Sequence, residues 1–161
     1  MSIPLIGSLS TDVIIIAVLA FVVIYGVFMG HSKVRTLALS TYVGLVLSSE
    51  LAVSLHGAVS SLSLTTAKLI LYLAPVVLLE FGRTHHLPAA RRGMIITMVL
   101  AVATAALLVS GFASQLDADG LKHFTGGSSL GYVVYNLRLV WLGAVPGLIV
   151  LEGFIKPKDK H

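Results

Sequence analysis

Cysteine is absent from this chain of 161 residues. Disulfides, thiolate metal sites and cysteine nucleophiles are therefore excluded. Charge is also scarce: Asp, Glu, Lys and Arg supply 11% of residues, against about 25% in a soluble globular domain. Met1 to Thr11 holds no Lys or Arg, whereas a secretory signal opens on a basic segment. A cleaved leader is not expected, and the first apolar stretch is expected to remain in the mature protein. No tandem repeat is visible, and no glycine-rich phosphate loop followed by Lys and Ser or Thr is present.

What fills the chain is hydrocarbon: 57% of residues are hydrophobic and the mean hydropathy is +0.97. Apolar stretches run over 12–30, 34–55, 64–82, 94–112 and 132–154, and the segments between them hold most of the charge. The first stretch is rich in β-branched residues, which in water would suggest a strand. In lipid, a segment of about 20 residues must satisfy its own backbone, so helix wins. The expected fold is an all-α, polytopic integral membrane bundle of about five transmembrane helices in a single domain. The connection 113–131 (ASQLDADGLKHFTGGSSLG) is polar and glycine-rich, and reads as an exposed outer loop.

Basic residues set the expected orientation. Lys33 and Arg35 follow stretch one, Arg83, Arg91 and Arg92 follow stretch three, and Lys156, Lys158 and Lys160 form a cytoplasmic tail over 155–161. In the opposite loops only Lys122 appears. The positive-inside rule then puts the N-terminus outside and the C-terminus in the cytoplasm, in a cell inner membrane. The same placement explains the sequence pI near 9.6 without nucleic acid, since no basic helix face is interleaved with aromatics.

Charges inside apolar stretches are costly and call for partners. Counted along a helix at 1.5 Å per residue, Glu50 and Lys68 lie about 6 Å from the outer ends of their spans and Arg138 about 9 Å, with Asp12 opening span one at the same face. Pairing among Asp12, Glu50, Lys68 and Arg138 is the expectation. A polar vestibule for an ion or small solute, with Glu50 and His56 titrating, is the functional alternative. Small residues mark expected helix contacts: Gly26 and Gly30, then Ser40, Gly44 and Ser48, then Gly143 and Gly147 around Pro146.

Chemical motifs are weak. Gly127-Ser128-Ser129-Leu130-Gly131 matches GxSxG, and a hydrolase would require His123 beside Ser128 or Ser129. Asp117-Ala118-Asp119-Gly120 resembles the opening of a calcium loop without its later acidic ligands. His85 and His86 would point about 100° apart on a helix rather than forming a zinc-binding pair, and with Arg83, Arg91 and Arg92 suit anionic lipid. No metal or cofactor is expected.

One stretch bears a family resemblance. Tyr25-Gly26-Val27-Phe28-Met29-Gly30-His31-Ser32-Lys33-Val34-Arg35, then Tyr42-Val43-Gly44, resembles the start of the colicin V production protein family: an apolar span, a glycine and basic turn, and a Leu-rich span containing glycine. The segment Arg138 to Gly147 resembles that family's closing glycine-rich helix. The resemblance implies a non-enzymatic inner-membrane protein tied to secretion or envelope upkeep. It carries over no catalytic residues. Membrane lipid and further copies or other membrane subunits are the expected partners on separate grounds, because five helices alone would leave the polar, small-residue face of span two, with Ser40, Gly44 and Ser48, partly uncovered.

Overall fold

A computed structural model describes the backbone over 4–59, 62–82 and 94–154, and side chains over 11–59, 62–79 and 94–151. Among the described residues all regular structure is helical. The elements are α1 (Pro4–Met29), α2 (His31–Ala58), α3 (Leu64–Gly82), α4 (Met94–Ser114), α5 (Ala118–Gly126), α6 (Ser129–Asn136) and α7 (Arg138–Phe154). Central α4 packs against α1, α2 and α7, while α3 packs almost wholly on α2.

Size sorts inside from outside in this bundle. The buried positions are mostly small: Ala38, Ser40, Gly44, Ser48 and Ala52 on α2, and Ala101, Ala105, Ser110, Gly111 and Ala113 on α4. The surface carries the large apolar side chains, with Phe28 83% exposed, Ile95 77%, Leu139 74% and Leu78 70%. Water would strip such a surface of its stability, because monomeric soluble proteins rarely expose wide apolar patches. Small residues inside and large ones outside suit helices that associate by close backbone approach in lipid. The protein therefore has the build of a helical membrane protein.

Among the described residues, three helices are long and apolar enough to cross a bilayer: Thr11–Met29, His31–Ala58 and Met94–Ser114. A fourth crossing is available if α6 and α7 count as one span, although they meet at a bend of 61°. The apolar run of α3 within the described side chains, Leu64–Leu79, falls short. The expectation of about five spans thus reduces here to three or four by length and composition. The single stretch read over 132–154 is two helices, broken at Leu137, whose backbone N–H caps α6 through the Tyr135 and Val133 carbonyls.

The connection over 113–131 also differs from the exposed loop expected. Its centre is α5, started by Asp117, whose carboxylate accepts the Gly120 N–H at 2.8 Å. That geometry is an N-cap, and it accounts for Asp117, the first acid of the pair that resembled a calcium loop. At the other end of the bundle, Gly30 divides α1 from α2 with φ 86°. This left-handed backbone suits glycine. Gly30 is therefore the breaker between two helices.

Candidate functional site

The predicted charge cluster does not assemble. Among the described residues, no ion pair joins Asp12, Glu50, Lys68 and Arg138, and each has a separate setting. Glu50 is exposed on the outward stripe of α2, with Leu39, Val43, Val46 and Val53 above and below it. Those positions recur at alternating steps of four and three, so they share one helix face. Lys68 is half-buried beside the buried Ala67. Arg138 opens α7 at the bend and places its guanidinium 4.6 Å from the centre of the Tyr135 ring, a cation–π contact.

Asp12 does have partners, and they are neutral. Its carboxylate accepts a short hydrogen bond from the Ser128 hydroxyl and a 3.2 Å bond from the Leu130 N–H. The Ser128 oxygen in turn accepts the Gly131 N–H at 2.7 Å, which makes Ser128 the N-cap of α6. A carboxylate from α1 thus sits at the positive end of α6, where the unpaired N–H groups and helix dipole favour it. Gly131 is needed because a Cβ there would lie 2.9 Å from the Ser128 hydroxyl and closer still to the Phe124 carbonyl. These contacts give the GxSxG match a packing role. Neither serine is hydrogen-bonded to His123 among the described residues. His123 lines an apolar cleft instead, and Ser129 is exposed.

Nor do the buried hydroxyls of α2 line a polar path. Ser40 and Thr41 both donate to the Leu37 carbonyl at 2.8 Å, and Ser48 donates to Leu45 at 2.9 Å. Such bonds return the hydroxyl to its own helix. His56 is exposed and donates from Nδ1 to the Leu62 carbonyl at 2.6 Å, closing the turn between α2 and α3. The sites expected at His85, His86, Arg83, Arg91, Arg92 and the lysine tail lie outside the described residues, as do the side chains of Glu80 and Glu152.

The small-residue positions separate into filled and open. Gly26 meets Val34 Cγ2 and Ala101 Cβ, at 2.8 and 3.3 Å from a Cβ built on it. Gly44 is pressed against the backbone of Tyr72, with its built Cβ 3.1 Å from the carbonyl carbon. The Tyr72 phenol then crosses to α4, where Gly111 makes room for it and the hydroxyl donates to the Leu108 carbonyl at 2.8 Å. Tyr72 is fully buried and joins α2, α3 and α4. Sequence reasoning missed it, although a tyrosine inside a span and two glycines on other spans were visible. Tyr42 makes a similar bridge, donating a short hydrogen bond to the Leu142 carbonyl of α7.

Gly143 and Gly147 are different. A Cβ at either position meets nothing within 4 Å. They lie on the outer side of α7 with exposed Leu139, Pro146 and Val150. Inside the described chain, this small-residue pair has no facing helix. Compared with protein-family models, with curated proteins and with solved structures, the chain matches none.

Proposed function

We propose that this chain is a non-enzymatic integral membrane subunit that works by helix association, through the outer face of α7, with further copies of itself. The observation that carries the reading is the contrast among glycines. Gly26, Gly44, Gly111 and Gly131 are each occupied by a contact within the chain; Gly57 and Gly126 are open singly near helix ends, whereas Gly143 and Gly147 are open as a pair four apart beside large exposed apolar residues. In lipid, small residues four apart on an outward face let a second helix approach closely. The resemblance to the colicin V production protein family fits an assembly concerned with secretion or the envelope, in a cytoplasmic membrane.

In this reading α3 and the bent α6–α7 pair also cross the bilayer. The 19 residues of α3 extend about 28 Å at 1.5 Å per residue, close to the hydrocarbon thickness of about 30 Å. Five passes put the N-terminus outside and the basic tail in the cytoplasm, as the positive-inside rule favours. The rival reading, an ion or solute path using Glu50, draws less support. Its carboxylate is on the outward stripe of α2, and the buried hydroxyls of that helix bond to their own backbone.

The test is the mass of the intact assembly in mild detergent for the wild type and for Gly143→Leu with Gly147→Leu. Because both positions are open, the double variant should fold with unchanged helix content and run as a monomer. An assembly that survives the double substitution, or a monomeric wild type, contradicts the proposal.

A further inference from the structure

Beneath α5 lies a half-open cleft of about 430 Å³, between the ends of α1 and α4. Ile14 and Val18 of α1, Leu108 and Phe112 of α4, and Phe124 of α5 form much of its wall, which is almost wholly carbon. Its size falls in the range of about 300–1,000 Å³ that holds small ligands. None of the residues of α5 is buried, so its apolar side is not fully covered by protein. Water is a poor filler, since a stable water needs two to four polar partners and this wall offers few. Ile14, 62% exposed, leads from the cleft onto the large apolar surface of α1. Leu108 lies about 9 Å along the helix from the end of α4.

We propose that this cleft holds one acyl chain of a zwitterionic phospholipid from the leaflet on the α5 side. The proposal rests on α1 and α4 being membrane spans. Charge complementarity selects the headgroup. The roofing helix α5 presents an exposed carboxylate, Asp119, and an exposed ammonium, Lys122, three residues apart. Residues three apart are neighbours on a helix surface, so an ammonium and a phosphate of one headgroup meet opposite charges together. The fit names phosphatidylethanolamine chemistry over a purely anionic lipid.

The experiment uses the full chain, reconstituted into vesicles of phosphatidylethanolamine and phosphatidylglycerol, then released in mild detergent and weighed intact. The wild type should retain one phosphatidylethanolamine per chain. Ile14→Trp fills the mouth of the cleft and should lower retention about tenfold, the effect of excluding about two chain methylenes. Ile24→Trp, equally at the surface of α1 but away from the cleft, should retain the lipid. Val18→Phe, which narrows the cleft from inside, repeats the test should Ile14→Trp lose helix content. Equal retention in the filled and control variants overturns the site. Preferential retention of phosphatidylglycerol, or of detergent alone, overturns the assigned occupant. The same spectra read the number of chains per assembly, so failure of lipid binding and failure of self-association are seen separately.

Discussion

Gly44→Ala probes a close helix approach, that of α2 on α3. In an isolated helix the change is favourable, because glycine costs about 0.5–1 kcal/mol relative to alanine. Here the new methyl would lie 3.1 Å from the Tyr72 carbonyl carbon, 3.3 Å from its Cα, and nearer still to its oxygen. The obstacle is backbone on α3, so no rotamer change relieves it. The helices must part, and a gap of about 0.5–1 Å forfeits about a quarter to a half of each facing dispersion contact. Overpacking of this kind costs about 1–3 kcal/mol, which outweighs the gain in propensity. The predicted result is a net loss of about 1 kcal/mol, within a range of about 0–2.5 kcal/mol from these two terms. Gly57→Ala is the matched control on the same helix, since a Cβ there meets nothing within 4 Å. It should be neutral or gain up to about 1 kcal/mol. Unfolding in mixed micelles, followed by helix content against the fraction of denaturing detergent, measures both. Gly44→Ala at or above wild-type stability would refute close packing of α2 on α3.

Further substitutions test the cap and the tyrosine bridge. Asp12→Ala removes the acceptor of the Ser128 hydroxyl and the Leu130 N–H, and should cost about 1.5–3 kcal/mol, as for hydrogen bonds to a charged group. Amide exchange should rise in the first turn of α6 and not in α2; uniform protection would refute the cap. Ser128→Ala should cost about 1 kcal/mol for the lost N-cap. Tyr72→Phe removes the bond to the Leu108 carbonyl and should cost about 1 kcal/mol, whereas Tyr72→Ala also empties the space beside Gly111 and should cost about 3–5 kcal/mol. Equal losses for the two would contradict the packing role of the ring.

Much of the fold could be read from hydropathy because lipid leaves few options to a long apolar segment. The stretches over 64–82 and 94–112 correspond to Leu64–Gly82 and Met94–Ser114. Short helices gave weaker signals. The one-turn cap at Asp117 was hidden in a polar stretch, and Leu137 breaks a stretch whose hydropathy is continuous. Rise per residue gives depth along a span, whereas contact depends on direction around the helix. Glu50 shares its face with Leu39, Val43, Val46 and Val53, whereas Ser40, Gly44, Ser48 and Ala52 are buried. Sorting α2 by side-chain size points Glu50 outward and away from the core. The Asp12–Ser128 contact spans 116 residues of sequence, and no local pattern encodes it.

In a bilayer, the large apolar side chains on the outside of the bundle would touch hydrocarbon. The absence of cysteine makes a direct test simple, because each introduced thiol is the only one. A membrane-impermeant maleimide, which needs a thiolate in water, is applied to intact cells carrying Lys122→Cys, Met94→Cys or Val102→Cys, all at exposed positions. Lys122→Cys should be labelled from outside, and Met94→Cys only after the cells are opened. Val102→Cys, in the middle of α4, should stay unlabelled in both conditions. Prompt labelling of Val102→Cys would contradict contact with hydrocarbon.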